Sequence, residues 1–410
     1  MSKGVVSKME NNEDFSTFDT LRPHFDALAR VAYFKIVLKS LSPLKQFLHN
    51  IYRVILWILV LLYNLQHVIR VIQTRHSTSK MVDTLFILLT TINTLGKQIA
   101  FNARSRRVDQ ITNIINGPSF ALTKPYHVEV MKANGVTMGR LLKLYHGAIY
   151  MCGLLWTIFP LVNRALGETD LFTGYIPFDT SNDLAFGLAH AYMCILITVQ
   201  GYGNVTMDNT IVSFYSQART QIQILRYDIE HLVGADANIT RDDRYNKHNY
   251  KDDSDGVSLQ TRLVRSVERY KIVVWFVHEV QSIFGEAMFV QFLVMSWVIC
   301  MTVYKIVGLS IMSAEFVSIA FYLICMLAQL FIYCYFGTQL KTESECLNES
   351  VYKCNWMSLS PRFRRQLLVM MQYYSKPISP RIAYIIPMSL DTYIKVLRSS
   401  YTLFTFLDRK

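Results

Sequence analysis

Of the 410 residues, 51% are hydrophobic and 13% aromatic, and the mean hydropathy is positive at +0.22. Water-soluble chains of this length rarely have such a composition, and here the apolar residues are gathered in runs that can cross roughly 30 Å of hydrocarbon, about twenty residues each. The net charge of +12 does not indicate nucleic-acid binding, because the basic residues fall between the apolar runs and not on one soluble face. We therefore predict an integral membrane protein that binds no nucleic acid.

Apolar runs follow one another along the whole chain and are interpreted as transmembrane helices. The second, fourth and seventh runs contain enough Thr, Asn, Gly and Ser to face protein or water rather than lipid. The predicted spans are residues 52–71, 81–101, 141–163, 184–205, 281–304, 313–337 and 384–407. The predicted fold class is an all-α polytopic membrane protein, in which residues 1–410 form a single domain of seven transmembrane helices.

The charges of the connecting segments predict the orientation, because Lys and Arg are retained on the cytoplasmic side of a membrane. Nearly all basic residues lie before the first span or in the segments that follow the second, fourth and sixth spans. The segment 164–183, by contrast, has one arginine against four acidic residues. With an odd number of spans, this pattern places the amino terminus in the cytoplasm and the carboxyl terminus outside the cell, the reverse of a G-protein-coupled receptor.

Three segments outside the spans are assigned to the cytoplasm. Residues 232–262 are rich in Asp and Gly with mixed charge, which is typical of a mobile linker. Residues 263–280 continue a helical apolar pattern toward the fifth span, and residues 343–374 have apolar positions too interrupted by charge to cross a bilayer. We expect these last two segments to be helices that pack in water as a cytoplasmic anchor layer.

The sequence has no pattern of catalytic or metal-binding residues. Its histidines never fall at metal-ligand spacing with a carboxylate or cysteine, and no nucleophile elbow, phosphate loop or catalytic carboxylate pair is found. The seven cysteines lie in predicted spans or cytoplasmic segments, so no disulfide framework is expected. We therefore predict a protein that is not an enzyme and has no metal site and no cofactor.

Ionisable residues occur within the seventh predicted span and, at Glu286, within the fifth. A charged side chain in hydrocarbon costs free energy, so these positions are unusual. Asp391 and Lys395 are four positions apart on one helical face, so a simple ion pair explains them as well as a direct role does. A polar stripe that ends in an aromatic residue recurs at steps of three and four, at Thr392, Lys395, Ser399, Thr402 and Phe406. Such a stripe suits a water-filled pore between several copies, but it suits a buried contact between helices of one subunit equally well.

A series of residues toward the carboxyl end keeps a distinctive order and spacing. Its members are Tyr333-Cys334-Tyr335-Phe336-Gly337, Glu343-Ser344, Tyr352, Trp356, Lys376-Pro377, Ser389-Leu390, Tyr393, Ser400-Tyr401 and Phe404. This series resembles the insect odorant receptor family over residues 331–404. The resemblance is weaker along the fifth span, and elsewhere it is limited to the plan of seven spans with a cytoplasmic amino terminus.

The resemblance implies a ligand-gated, non-selective cation channel in the plasma membrane of a sensory neuron, at its dendrite. It implies a heterotetramer in which a tuned subunit assembles with a shared odorant receptor co-receptor, binds small volatile odorants and lets cations permeate. The short linker between spans four and five resembles that of a tuned subunit and not that of the co-receptor. The seventh span would line the pore, and cytoplasmic helices from spans four to seven would form the anchor between subunits. Membrane lipid would be a further partner of the chain. The implied pore and gate residues are Ser399, Thr402, Leu403 and Phe406.

The resemblance also implies an odorant pocket in the outer half of the bundle, among the second to sixth spans. The matching positions here form an apolar and aromatic wall with few polar groups, which favours tolerant recognition by shape. Tyr150 and His190 are each able to form one hydrogen bond with a ligand. The candidate ligand-binding residues are Tyr150, Gly153, Trp156, Thr157, Phe186, His190, Met193, Ile197, Met288, Phe292, Phe316 and Ile319.

Two other functions remain open at this point. A contact-taste receptor channel would share the seven-span plan but would sense soluble tastants and assemble without the co-receptor. A G-protein-coupled receptor needs an extracellular amino terminus, which the loop charges and the lack of an outer cysteine pair oppose. Ligand-evoked current without the co-receptor would favour the first alternative, and an amino terminus accessible from outside the cell would favour the second.

Overall fold

The computed structural model describes residues 15–34, 43–165, 172–180, 182–233, 252–307 and 314–408. The regular structure in these ranges is almost entirely helical. The α-helices are α1 (Arg22–Arg30), α2 (Pro43–Gln73), α3 (Thr78–Ala103), α4 (Ser105–Ile115), α5 (Pro125–Ala165), α6 (Asp183–Glu230), α7 (Asp252–Val307), α8 (Ala314–Glu345), α9 (Leu347–Lys353), α10 (Pro361–Tyr374) and α11 (Leu390–Asp408). The short 3-10 helices are Thr17–Thr20, Pro118–Phe120 and Trp356–Ser358, and strand β1 (Arg381–Ile382) pairs antiparallel with β2 (Ile386–Pro387).

Six of the described helices are long and apolar enough to cross a membrane, namely α2, α3, α5, α6, α7 and α8. They cover the first six predicted spans apart from residue 313, which lies outside the described residues. Helices suit this environment because every backbone N–H and C=O finds its partner within the segment, where no water is present to replace it. The predicted all-α membrane fold is confirmed.

The seventh predicted span corresponds to α11, which begins at Leu390 rather than at residue 384 and is not one of those six helices. The reason for the late start is the hairpin before it. Tyr384 has a φ of 62°, in the left-handed region that a right-handed helix excludes. Ser389 then caps α11, since its hydroxyl accepts a hydrogen bond from the backbone amide of Thr392 at 3.4 Å.

A close backbone approach at Gly337 holds the start of α11 against α8. A Cβ atom at this position would overlap the carbonyl group of Met388, so the contact requires glycine. One residue further along α8, the hydroxyl of Thr338 accepts a hydrogen bond from the backbone amide of Leu390 at 3.0 Å. The glycine of the series that resembles the odorant receptors is therefore explained by packing.

The segments predicted to be cytoplasmic are more helical than expected. Because α7 begins at Asp252, residues 252–262 of the predicted linker are helical, whereas residues 234–251 lie outside the described residues. The acidic residues that suggested a linker are also favourable in the first turn of a helix, next to its positive dipole end. Residues 263–280 continue within α7, and residues 343–374 comprise the end of α8 followed by α9 and α10.

Helix α6 lies at the centre of the molecule and packs against α1, α2, α3, α5, α7, α8 and α9. Almost every side chain in its second half is buried. The fully buried ring of Phe214 has its centroid 6.1–6.3 Å from those of Phe25, Phe276 and Phe284. Aromatic contacts of this kind contribute about 0.5–1.5 kcal/mol each beyond area burial, so this cluster fixes α1 and α7 on α6.

Near the carboxyl end of α6, Asp228 joins three elements through its carboxylate. The ammonium group of Lys124 lies 2.6 Å from Oδ1, and Nε2 of His127 lies 3.0 Å from the same oxygen. The guanidinium group of Arg269 on α7 is 3.3 Å from Oδ2. Asp228 lies well beyond the fourth predicted span, so the start of α5, the end of α6 and α7 meet here on the predicted cytoplasmic side.

Burial and hydrogen bonding act on Asp228 in opposite directions. Burial on its own would raise the pKa of the carboxyl group, but the hydrogen bonds from His127 and Lys124 outweigh it and hold the pKa at about 2. For Arg269, burial lowers the pKa of the guanidinium group to about 10, although Asp228 opposes that change. The positive charge of Arg269 therefore depends on Asp228 to offset the cost of its burial.

We predict that Asp228→Asn lowers the free energy of unfolding by about 3 kcal/mol, because it leaves the buried cation of Arg269 without an anion. The pKa of Asp228 in the folded protein is about 2, below the value of about 3.9 in an unfolded chain. Its contribution is therefore complete above pH ~4 and is lost as the pH falls toward 2. Thermal unfolding of the purified protein across this pH range measures both effects.

Glu349→Gln is the matched control, because Glu349 forms an exposed pair with Lys353 in the same layer, at 2.7 Å, and its loss should change the unfolding temperature little. The stability of Asp228→Asn should depend less on pH between about 4 and 2 than that of the unmodified protein. Equal unfolding temperatures for the Asp228 and Glu349 variants at neutral pH would contradict the prediction.

Candidate ligand-binding site

A cavity of about 110 Å³ lies between α3, α5, α6 and α8. Most of its wall is apolar, formed by Phe86, Ile87, Ala148, Ile149, Trp156, Ile197, Val205, Tyr322 and Met326. The ring of Tyr322 on α8 contacts Phe86 on α3 and Trp156 on α5, with centroids 4.8 and 6.5 Å away. These ring contacts connect three of the four helices around the cavity.

Two glycines leave the wall of the cavity without side chains where α5 and α6 face each other. A Cβ atom on Gly153 would come within 2.9 Å of the Thr198 hydroxyl, so the helices approach closely there. A Cβ atom on Gly201 would meet Ile149 at 3.5 Å, an ordinary van der Waals contact. Gly201 is thus a position where one methyl group can be added to the cavity wall without displacing the backbone.

Polar side chains also line the cavity, at Thr90, Thr91, Thr94, Tyr145, Thr198, Gln200, Asn204 and Gln329. Among the described residues, three of these have buried atoms without a hydrogen-bond partner: the hydroxyl of Tyr145, both amide atoms of Gln200 and the amide oxygen of Asn204. Leaving a buried polar atom unpaired costs free energy, and such atoms in folded proteins usually meet water or a ligand. The cavity therefore suits a mainly apolar molecule with a hydrogen-bonding group.

The cavity also has two thiols, from Cys152 on α5 and Cys325 on α8. Each of the seven cysteines is a free thiol. Among the described residues, no group of three or more His, Cys, Asp or Glu side chains is arranged to hold a metal ion. The apolar wall and the polar atoms of the lining suit binding through shape and hydrogen bonds.

The structure brings three of the twelve predicted ligand-binding residues together in this cavity. Gly153 and Trp156 line it from α5, and Ile197 lines it from α6. A fourth, Met193, lies next to it in a small apolar cluster that includes the cavity residue Ile87. The second, third, fourth and sixth predicted spans provide the walls, within the range of spans that the resemblance implied.

The other predicted residues do not line the cavity, for reasons of helix geometry. They are Tyr150, Thr157, Phe186, His190, Met193, Met288, Phe292, Phe316 and Ile319. Tyr150 is 58% exposed on a different face of α5 from Gly153. Phe186 and His190 stack on each other at 5.7 Å, and Thr157 donates its hydroxyl hydrogen to the Gly153 carbonyl at 2.7 Å.

The residues on α7 and at the start of α8 lie elsewhere. Helix α7 does not border the cavity, and its residues Met288 and Phe292 are buried in the main core instead. Phe316 and Ile319 precede Tyr322, the first residue of α8 that lines it. Sequence reasoning missed the polar lining of α8, although Tyr322, Cys325 and Gln329 recur at steps of three and four, the period of one helical face.

The polar stripe of α11 is exposed in the single chain, except at its start. Ser399 and Thr402 are exposed together with Lys395, whereas Thr392 is buried and donates its hydroxyl hydrogen to the Pro387 carbonyl at 2.6 Å. The opposite flank of the helix packs on α7 and α8. The side chains of Leu403 and Phe406 lie outside the described residues.

A buried ion pair lies next to the cavity. The ammonium group of Lys97 on α3 is fully buried and lies 2.5 Å from the Asp208 carboxylate of α6. The same carboxylate accepts hydrogen bonds from the hydroxyl of Tyr333 at 2.7 Å, from the amide of Gln291 at 3.1 Å and from the amide of Gln329. Lys97 was missed in the sequence, although ionisable residues within apolar spans are a signal of function, and that signal had drawn attention to Glu286.

These features define a multi-pass membrane protein with a small-molecule cavity inside its helical bundle. The family model described as 7tm Odorant receptor matches residues 77–401. The chain belongs to the 7tm Odorant receptor family, which confirms the resemblance seen in its carboxyl-terminal residues.

Curated relatives agree with this assignment. Odorant receptor 46a, isoform A, from Drosophila melanogaster is 22% identical, and the alignment covers 100% of this chain and 99% of the relative. Odorant receptor Or1 from Anopheles gambiae is also 22% identical, over 80% of this chain and 81% of the relative. The olfactory receptor OR5 from Machilis hrabei, solved in complex with eugenol, shares the fold with a TM-score of 0.80 at 14% identity, covering 95% of this chain and 97% of that one.

We predict that Asp208→Asn lowers the free energy of unfolding by about 3–5 kcal/mol, because it leaves the charge of Lys97 buried without an anion. Adding Lys97→Met removes that charge, so the double variant should recover most of the loss. Thermal unfolding of the protein in lipid nanodiscs measures each variant.

Glu345→Gln serves as the control, because Glu345 pairs with Lys341 at 3.6 Å outside the predicted spans and its side chain is 49% exposed. Its effect should be at most about 1 kcal/mol. A double variant no more stable than Asp208→Asn would show that the ion pair is not the source of the loss.

Proposed function

We propose that this chain is an odorant-tuned subunit of a ligand-gated, non-selective cation channel, and that it assembles with the odorant receptor co-receptor in the plasma membrane of a sensory dendrite. Its membership of the 7tm Odorant receptor family supports this proposal. The observation that carries the proposal is the cavity, whose mainly apolar wall includes buried polar atoms that have no partner among the described residues. Small volatile molecules with one hydrogen-bonding group have matching chemistry.

The neighbouring solved structure is consistent with this ligand class. The receptor from Machilis hrabei was solved with eugenol, a phenol with an apolar body. In the present chain, Trp156 and Tyr322 offer aromatic surface, and the hydroxyl of Tyr145 and the amide of Gln200 offer hydrogen bonds. Ligand binding opens the channel only if the ligand binds the open arrangement more tightly than the closed one.

The ion path in this proposal is lined by α11. Ser399 and Thr402 are exposed in the single chain, which supports a location on an axis shared with other subunits. Leu403 and Phe406, implied by the family resemblance, complete the proposed gate. The family resemblance likewise implies the tetramer, the co-receptor as the partner subunit and the permeating cations, and all three are part of this proposal.

We predict that co-expression of this chain with the co-receptor produces an odorant-evoked, non-selective cation current, because the proposed pore is completed by both subunits. The current is recorded by two-electrode voltage clamp across a panel of volatile alcohols, ketones, esters and phenols. Cells that express the co-receptor alone provide the background.

Two results would count against that prediction. Silence across the panel, with the complex present at the cell surface, would contradict tuning by volatile molecules. Current of equal size without the co-receptor would instead favour the taste-receptor type of assembly.

We predict that Thr402→Asp changes the relative permeability to Ca²⁺ and Na⁺, because it adds a negative charge to the proposed ion path. It should leave the half-maximal odorant concentration nearly unchanged. Gly201→Ala should leave the relative permeability unchanged and raise the half-maximal odorant concentration. An added methyl group in the cavity costs about 1 kcal/mol of binding free energy, which corresponds to roughly a fivefold higher concentration. Reversal potentials and dose-response curves measure the two properties separately.

Gly147→Ala on α5 is the control for Gly201→Ala, because its added Cβ atom would meet nothing within 4 Å, and Gly147 does not line the cavity. Unchanged ion selectivity in Thr402→Asp would remove Thr402 from the proposed path. Equal effects of the two glycine variants on the dose response would argue that this cavity is not the odorant site.

A further inference from the structure

Two glutamines line the cavity, and they differ in how their amides are held. Gln329 on α8 donates an N–H of its amide to the carboxylate of Asp208. Gln200 on α6 is 2% exposed, and neither of its amide atoms has a partner among the described residues. One glutamine therefore connects the cavity to the buried ion pair, while the other is a free amide of the same chemistry.

Four donors fill the hydrogen-bonding capacity of Asp208. They come from α3, α7 and α8, through Lys97, Gln291, Gln329 and Tyr333. A carboxylate has about four lone-pair sites, and no bulk water is available among these buried groups to replace a lost donor. A change at any one donor therefore alters the bonds that hold the other helices.

Two of those helices also hold α11. The hydroxyl of Ser400 on α11 donates to the carbonyl of Ser296 on α7 at 3.2 Å, and the hydroxyl of Thr338 on α8 accepts from the amide of Leu390 at 3.0 Å. Each of these α7 and α8 residues lies little more than one helical turn after a residue that bonds to Asp208. A rigid helix can transmit a small displacement over that distance.

We propose that Gln329 is a specificity-determining residue that transmits occupancy of the cavity to the Asp208 network and thereby to α11. A primary amide has a second N–H, so an acceptor oxygen on a ligand can bond to the same nitrogen that holds Asp208. This reorients the amide and alters the bonds of Asp208 to α7 and α8. A hydrocarbon of the same shape fills the cavity but leaves the amide in place. This inference rests on the proposed ligand-gated function.

The test compares Gln329→Met with Gln200→Met, both expressed with the co-receptor. Each variant removes one amide from the cavity at nearly constant volume, but only the first removes a donor to Asp208. The probes are the ketone or phenol that evokes the largest current in the unmodified complex and its hydrocarbon counterpart. The maximal current is expressed relative to that evoked by an agonist of the co-receptor.

Occupancy of the cavity is measured independently of current. Cys152 and Cys325 line the cavity, so a bound ligand protects them from modification by methyl methanethiosulfonate, and mass spectrometry of the surface-expressed complex quantifies the protection. We expect Gln329→Met to keep protection within about threefold in ligand concentration and to lose at least fivefold in maximal current. Gln200→Met should weaken ligand binding, so that thiol protection requires a higher ligand concentration, but a saturating ligand should still evoke the full maximal current because Asp208 keeps its donor Gln329. The hydrocarbon should protect the thiols while evoking little current.

Equal maximal currents in the two variants, whether both normal or both reduced, would overturn the inference. Thiol protection by the ketones and phenols of the panel without any current in the unmodified complex would instead refute the proposed channel function. If Gln329→Met fails to reach the cell surface, Tyr333→Phe replaces it, because Tyr333 bonds to Asp208 without lining the cavity. Reduced maximal current with normal thiol protection in that variant supports the inference, and unchanged current overturns it.

Discussion

The length of α6 is the constraint on which the other elements depend. Its 48 residues rise about 1.5 Å each and so extend about 72 Å, more than twice the roughly 30 Å of hydrocarbon in a bilayer. Lipid can cover only part of such a helix. Its second half is nevertheless buried over most of its circumference, because α1, α7 and α9 pack there. The buried aromatic contacts of Phe214 are the result.

Two carboxylates on α6 hold the neighbouring helices, and they differ in how well water can reach them. Asp208 lies near the end of the fourth predicted span, and its partner Lys97 is fully buried, so water cannot substitute for a donor that is lost. Asp228 lies in the predicted cytoplasmic layer, and its side chain is 22% exposed, which lets water compensate in part. A disturbance at Asp208 therefore has to be absorbed by movement of the neighbouring helices, whereas one at Asp228 mainly reduces stability.

The sequence predicted the features that depend on composition and on local pattern. Long apolar runs located six helices, and the series around Gly337 identified the family. What it did not predict depends on tertiary contacts. From the sequence alone, residues 150 and 153 are equally plausible cavity-lining positions, because the rotation of α5 about its axis is unknown. Only the packing of α5 on α6 decides that Gly153 lines the cavity while Tyr150 is exposed. The partner of Lys97 was equally hidden, because Asp208 is more than 100 residues away in the chain.

The composition of α11 leads to an argument about assembly. Lys395, Ser399 and Thr402 are exposed in the single chain, while Ser400 on the opposite flank bonds to α7. A lysine that faces the centre of a bilayer costs about 3 kcal/mol, so lipid is a poor partner for this face. Several subunits that turn these faces toward a common axis would place them in water, which removes that cost and provides the polar lining that an ion path needs. The polarity that separates α11 from the six apolar helices thus supports the proposal that this chain acts in an oligomer.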